Sequence, residues 1–429
     1  MEQVDVVVVG GGIGGLTCAY CLAQEGMQVL VLERGDHPGS KNVTGGRIYL
    51  RPLQSYLPEI LNAAPLERAV TKEVITMMGE DSSCTVQFTS DKFREQPLHS
   101  HTILRSRFDK WFGERVIEKG GFIIPQRRVT DLMKDDGRIV GVVSEEEEIP
   151  ANVVVAADGA LSLMAEQAGL RGPLAPRYAA VALKEVIKFT PEIIEERFGL
   201  APGEGAAHLF FGSITQGIFG GGFLYTNRDT ISLGVVLGIE SFVQSGQAAE
   251  THQIFEAFKD RKEIASLLKD GKLVEYSAHL IPEGGNRPLP QPYGDGILVV
   301  GDAAGFTLNL GVTVRGMEYA VASGYLAAQT IKKAKVMGDF SASTLAQYET
   351  LLRESFVLQD MNTFRNSLDI LENRRMVGFY PQWICKVLEE IFWIGEGPKK
   401  RISATAWNGV KEGLLNPTGL KDLWRLKRI

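Results

Sequence analysis

Cysteine, histidine and surplus positive charge are all scarce in this 429-residue chain, and each shortage closes off a class of function. Four cysteines are too few for a disulfide scaffold and suit a reducing cytoplasm. Only Cys385 falls in the last hundred residues, so that region cannot ligate a four-cysteine iron–sulfur cluster by itself. Cys18 and Cys21 spell C-x-x-C, but on an expected helix that spacing puts both on one face against a sheet, and neither redox nor metal use is expected of them. The six histidines show no ligand spacing, with His99 and His101 in an expected loop, so no metal is expected. A net charge of −6 argues against a nucleic-acid partner. Long hydrophobic runs are missing too. The least charged stretch, Gly296 to Val314, is interrupted by Asp302 and by glycines. An Asp at mid-span costs roughly 2.5–3.5 kcal/mol, so a buried strand, a loop and a helix start are expected there rather than a membrane span. An apolar run, Val6 to Val9, begins so early that it leaves no room for a signal peptide. There is no internal repeat.

Glycine, by contrast, is abundant at 47 residues, and it clusters rather than repeating with a period. Gly10-Gly11-Gly12-Ile13-Gly14-Gly15 contains G-x-G-x-x-G at Gly10, Gly12 and Gly15, after an expected strand and at the start of an expected helix. In that setting the first glycine makes the turn and the second lets a pyrophosphate approach the backbone. The third lets helix and strand pack closely, with the phosphates at the positive helix end. Glu33 closes the next strand, Val29 to Leu32, where a carboxylate can accept hydrogen bonds from a ribose. Strand, motif, helix, strand and terminal acid together predict a dinucleotide site.

The rest of the pattern predicts an α/β chain of two or three units. Residues 1–72, 104–175 and 290–340 read as a discontinuous dinucleotide-binding domain. Residues 73–103 and 176–289 read as a sheet-rich domain with mixed or antiparallel strands, and 341–429 as a helical region. Within these, a helix is expected over Phe108 to Glu118, a strand near Phe122 to Ile124, and a hairpin at Asp135-Asp136-Gly137. A strand is expected over Val153 to Ala157, and helices over His252 to Lys269 and Thr313 to Lys335.

Three further segments carry a family resemblance. Gly301-Asp302 after Ile297 to Val300, Asp158-Gly159 after Ala156-Ala157, and Arg105-x-x-Phe108-Asp109 resemble the motifs of the glutathione-reductase-2 flavoprotein class. The resemblance implies FAD, with Asp302 on the ribityl chain. Lys41-Asn42-Val43-Thr44-Gly45-Gly46-Arg47-Ile48-Tyr49, Phe219 to Tyr225, Leu273 to His279 and Val314-Arg315-Gly316-Met317 resemble FixC-type proteins, relatives of electron-transfer-flavoprotein:quinone oxidoreductase. That likeness runs over nearly the whole chain. It implies a FAD site drawn from Gly10, Gly12, Ile13, Gly14, Gly15, Glu33, Arg34, Lys41, Gly45, Gly46, Arg47, Arg105, Val129, Asp158, Gly159, Gly301, Asp302, Gly311 and Val312. It also implies a quinone headgroup at Gly220-Gly221, for which a glycine-rich bulge in a strand is the structural alternative. The helix expected from Thr313 would turn its first amides toward the flavin pyrimidine end and stabilise negative charge on the reduced ring.

By the same resemblance the activity is electron transfer, with no bond-cleaving catalytic residue. FAD takes electrons from the alpha and beta subunits of an electron transfer flavoprotein, directly or through a FixX-type ferredoxin-like iron–sulfur subunit, and reduces menaquinone or ubiquinone. Some members are driven by NADH and bifurcate electrons. Two rivals share the fold: a geranylgeranyl-type isoprenoid reductase and an NAD(P)H-dependent aromatic hydroxylase. A scaffold subunit without bound FAD is a third reading. From Glu396 to Ile429 eight basic residues face three acidic ones, a net of +5, just after an apolar stripe of Trp383, Ile384, Val387, Leu388, Ile391, Phe392 and Ile394. Anionic lipid would suit that pairing, and a core-facing helix with a solvated or protein-docking tail is the other reading. The expected location is the cytoplasm, with the inner face of the cell membrane as a docking surface on the first reading.

Overall fold

A computed structural model describes residues 3–42, 46–246, 250–283 and 290–427. Two sheets dominate it. The first runs in the order β16 (Tyr293–Gly294), β17 (Ile297–Val299), β10 (Glu147–Ala156), β1 (Val4–Val9), β2 (Val29–Leu32) and β7 (Phe122–Ile124). From β17 to β7 all neighbours are parallel. A parallel strand covered on both faces reads as a continuous apolar run, which is why Val6, Val7 and Val8 are fully buried. The strands β8 (Val129–Asp135) and β9 (Arg138–Ser144) form a hairpin that pairs onto β10. That strand changes partner part-way: it is antiparallel to β9 through Pro150 and parallel to β1 from Ala151. The strand expected at Val153 therefore starts six residues earlier.

The second sheet runs β15 (Lys272–Pro282), β11 (Ala179–Lys188), β14 (Thr230–Gly238), β13 (Gly220–Thr226), β12 (Glu204–Gly212), β4 (Ala69–Met78), β6 (Ser100–Thr102) and β3 (Arg47–Tyr49), with β5 (Ser83–Thr89) beside β4. The expected boundary at residue 72 falls inside β4, and β3 also joins this sheet. Both are short of the apolar alternation that would have flagged them. Its core is a separate cluster around Phe210, Phe255 and Phe258.

Helices α1 (Ile13–Ala23), α2 (Arg105–Glu118) and α3 (Met317–Met337) pack on the first sheet, while α4 (Tyr380–Phe392), α5 (Ile402–Gly413) and α6 (Pro417–Leu426) close the chain. Two expected helices differ. The one over His252 to Lys269 breaks into Thr251–Lys259 and Lys262–Leu268, because Arg261 leaves the helical path and its guanidinium bonds the Glu80 carbonyl at 2.7 Å. The one expected from Thr313 begins at Met317. Before it, β18 (Leu308–Asn309) and β19 (Val314–Arg315) form a tight hairpin, with Gly311 at φ +77° in the turn. Among the described residues no helix is long and apolar enough to cross a membrane.

Helices α1 and α3 cross where side chains are absent: a Cβ on Gly324 would lie 2.2 Å from the Gly14 carbonyl oxygen. Gly324→Ala is therefore expected to cost about 1–3 kcal/mol in denaturant unfolding through overpacking. Gly172→Ala, with nothing within 4 Å of its Cβ, should stay within about 0.5 kcal/mol of the parent.

Candidate functional site

The strand ends of the first sheet and the inner face of the second enclose a cavity of about 1340 Å³. Its floor is the glycine turn after β1. Gly10 sits at φ +104°, and a Cβ there would lie 2.4 Å from the Ala157 carbonyl oxygen. A Cβ on Gly15 would lie 2.4 Å from the Gly10 carbonyl oxygen and 3.0 Å from Val8 Cγ1. Gly12 differs: the nearest atom to its Cβ would be Arg105 Nη2 at 3.9 Å, so that face is open toward the cavity. The first and third glycines thus serve the packing, and the second leaves room for a ligand. Ile13 and Gly14 begin α1 beside them.

Around this floor stand Glu33 and Asp158, which backbone amides fix in place, the buried Arg105, which Asp109 fixes, and Asp302. Glu33 accepts the Gly11 amide at 2.7 Å on one oxygen and the Gly35 amide at 2.6 Å on the other, leaving lone pairs for a ribose. Arg105 bonds Asp109 twice, at 2.9 and 2.6 Å, and Asp109 also accepts Asn42 Nδ2 at 2.7 Å. Burial works against the Arg105 charge, but Asp109 outweighs it and holds the guanidinium above its ordinary range. Asp158 accepts the Met164 amide at 3.1 Å, while its other oxygen is buried without a partner. Burial pushes its acid up, as it does at Asp302, where the Arg105 charge opposes the rise. Gly159 and Gly301 take positive φ beside these two acids, which lets the chain turn sharply off each strand end. Arg34, Lys41 and Val129 line the same end of the cavity.

Nearly all the residues expected at the cofactor line this one space. Gly45 lies outside the described residues. Gly46 is not on the wall; a Cβ there would run into the Tyr225 ring. Arg47 lines the wall, but its guanidinium is engaged by both oxygens of Glu73 and by Ser100 at 2.9 Å. Gly311 and Val312 belong to the β18–β19 hairpin instead of a helix start. The positive end of α3 lies at Gly316–Met317 and is met there by Glu318, fully buried and bonded to Arg315 at 2.6 Å, so less of that dipole is left for a ligand. Cys18 and Cys21 stand away from the cavity with thiols that burial pushes up, Cys21 to about 12. Among the described residues no cluster could hold a metal ion.

The sequence reading missed the basic rim of Arg127 and Arg128 and the apolar part of the wall, to which Met376, Ile384, Leu414 and Leu426 contribute along with Phe211 and Phe223. The stripe around Ile384 was visible, but its destination was not. The cavity exceeds the roughly 300–1,000 Å³ of a single-ligand pocket, leaving space beyond the nucleotide end. The residues fit FAD: an open glycine at a helix N-terminus for the diphosphate, paired lone pairs at Glu33 for a ribose, and the Asp158 and Asp302 acids at neighbouring strand ends in the same wall. Gly12→Ala should fold and melt as the parent does, yet retain FAD at least about tenfold more weakly, read by flavin absorbance after desalting and by titration.

Two models of the FAD dependent oxidoreductase family match the chain, over residues 5–171 and 99–330. The probable electron transfer flavoprotein-quinone oxidoreductase YdiS of Escherichia coli (strain K12) is 42% identical over 417 residues, 97% of this chain and 96% of that one. Protein FixC of the same strain is 41% identical over 413 residues, 96% of each chain. Protein FixC of Bradyrhizobium diazoefficiens is 39% identical, covering 93% of this chain and 92% of its own. Among solved structures, a geranylgeranyl bacteriochlorophyll reductase-like protein from Thermoplasma acidophilum matches with a TM-score of 0.71 at 22% identity over all of both chains, a likeness of fold. With two fifths of its residues shared along almost its full length and a FAD-shaped cradle at the strand ends, the chain belongs to the FixC family of FAD-dependent oxidoreductases.

Proposed function

We propose that this FAD-dependent oxidoreductase takes electrons from a two-subunit electron transfer flavoprotein and passes them to a quinone of the membrane pool. The observation that carries the reading is the second, apolar end of the cavity. It is lined by Phe211, Phe223, Leu423 and Leu426, of which the two leucines are 40% exposed. A quinone has a polar headgroup and a long apolar tail, and such a cavity suits both.

FAD, once bound, accepts and donates electron pairs; the chain's own residues position, exclude water and tune. The glycine turn and Arg105 would hold the diphosphate, Glu33 the ribose, Asp158 and Asp302 the ribityl hydroxyls, and the Gly311-Val312 hairpin the ring edge. Gly220 and Gly221 are assigned to the quinone headgroup. The β12–β13 ladder ends at Phe210–Gly222, so the strand beyond has backbone without a β12 partner facing the cavity. The register through Gly220 and Gly221 on β14 is regular, which favours this assignment over a bulge.

The same reading assigns the C-terminal helices to the membrane surface. Phe392, Trp393 and Ile394 are 78%, 71% and 79% exposed, and Trp407 and Trp424 are exposed near them in sequence among the basic residues of α5 and α6. Exposed aromatics flanked by Lys and Arg bind anionic interfaces, each nearby cation contributing about 1 kcal/mol. The FixX-type ferredoxin-like subunit fits as the carrier of the iron–sulfur cluster this chain lacks, with menaquinone or ubiquinone as acceptor.

Protein bleached anaerobically by reduced electron transfer flavoprotein should regain its yellow colour on adding quinone in vesicles. Reoxidation by an unsaturated isoprenoid lipid with loss of a double bond, and none by quinone, would replace this reading with the reductase one. The triple variant Phe392→Ser, Trp393→Ser, Ile394→Ser should bind anionic vesicles about tenfold more weakly in cosedimentation while its flavin is still reduced at the parent rate.

A further inference from the structure

We infer that Glu283 delivers a proton to the quinone as electrons leave the reduced flavin, an inference that rests on the quinone reading above. Glu283 follows the last residue of β15 and lies in the cavity wall, 5% exposed. Its amide donates to the Tyr178 carbonyl at 2.9 Å, and its Oε2 accepts Asn309 Nδ2 at 3.3 Å. Asn309 Oδ1 in turn accepts the Gly311 amide at 2.9 Å. The carboxyl is thus tied to the hairpin at the cavity wall and fixed in direction.

No step of the electron path described above uses this group, yet its surroundings suit a proton carrier. Burial pushes its acid up to about 7, the Glu372 charge adds to the rise, and the Asn309 bond pulls against it. Both protonation states are therefore populated near neutral pH, as a general acid requires. Glu372 stands at the C-terminus of the short helix Ser367–Leu371 with a side chain that is 24% exposed, and its negative charge disfavours a second charge on Glu283. Arg177 bonds Glu372 at 2.7 Å and Asp369 at 2.5 Å, and Arg315 on the hairpin is held by Glu318 and Asp360, each at 2.6 Å. Both arginines are paired with acids, so among the described residues neither is free to hold Glu283 ionised.

The balance closes with the flavin and water alone. Reducing a quinone to its hydroquinone takes two electrons and two protons. FAD bound in its reduced form would supply both electrons and one proton. The second proton breaks from the Glu283 carboxyl and forms an O–H on the quinone oxygen. The carboxylate left behind is reprotonated from water.

The test mixes anaerobically reduced holoprotein with a water-soluble quinone and, separately, with ferricenium, which takes an electron and no proton. Glu283→Gln, which keeps an acceptor for Asn309, should slow oxidation by quinone about 10²-fold and leave oxidation by ferricenium unchanged. The parent's quinone rate should fall as pH rises through about 7, because the protonated form is the donor, and this limb should vanish in E283Q. Removing the neighbouring negative charge in Glu372→Gln should move the limb to lower pH. Infrared spectra supply a readout apart from activity: a buried carboxyl band titrating near neutrality in the parent, lower in E372Q and absent in E283Q. Should E283Q lose its flavin, that titration in the parent and E372Q decides. No such band overturns the proton delivery, as does an E283Q protein oxidised by quinone at the parent rate with an unchanged pH profile. A parent protein that ferricenium oxidises and quinone does not overturns the quinone reading and the proton delivery together.

Discussion

The close approach of three backbones at one point governs this molecule. Gly10 lies against the Ala157 carbonyl, Gly15 against the Gly10 carbonyl, and Gly324 against the Gly14 carbonyl, each at a distance no Cβ tolerates. Strands β1 and β10 and helices α1 and α3 are thereby locked together at the level where the parallel strands end. Parallel strands release their chain at a common edge, and the cavity opens there. Asp158 after β10 and Asp302 after β17 reach the same space because their strands are neighbours through one ladder. Without that tight junction the two acids, the glycine turn and Glu33 would not share a floor.

Charge is placed unevenly above this floor. The nucleotide end gathers Arg34, Lys41, Arg105, Arg127 and Arg128, and the far end is lined by Phe, Met, Ile and Leu. The acids in between are bonded to backbone amides or pushed up by burial, so they can accept from hydroxyl groups without repelling a diphosphate strongly. Arg105 would be costly to bury alone; its paired bonds to Asp109 keep it charged and aimed. Such a gradient from basic to apolar suits a ligand pair of which one is anionic and the other greasy.

Much of this was legible from residues alone. The glycine motif, the acid at Glu33 and the strand-end pairs Asp158-Gly159 and Gly301-Asp302 all follow local rules, since turn geometry and strand ends are written in short windows. The misjudged elements are non-local. A β-branched stretch, Val312 to Val314, reads equally as helix start or hairpin until Gly311 adopts its positive φ and Leu310 bonds Thr313 across the turn at 2.9 Å. Strand β3 is three residues long and has no period of its own; it exists because β6 offers it a ladder.

The sequence by itself determined a FAD-binding α/β fold and its kinship, because those rest on contiguous motifs whose chemistry is local. Only the tertiary structure decided that the last helices line the cavity, since Leu414, Leu423 and Leu426 share its wall with Phe211 and Phe223, two hundred residues away in the chain. It also decided that Glu283, an unremarked acid at a strand end, is enclosed in that cavity's wall. Burial and proximity arise from packing between distant segments, and no window of sequence contains them.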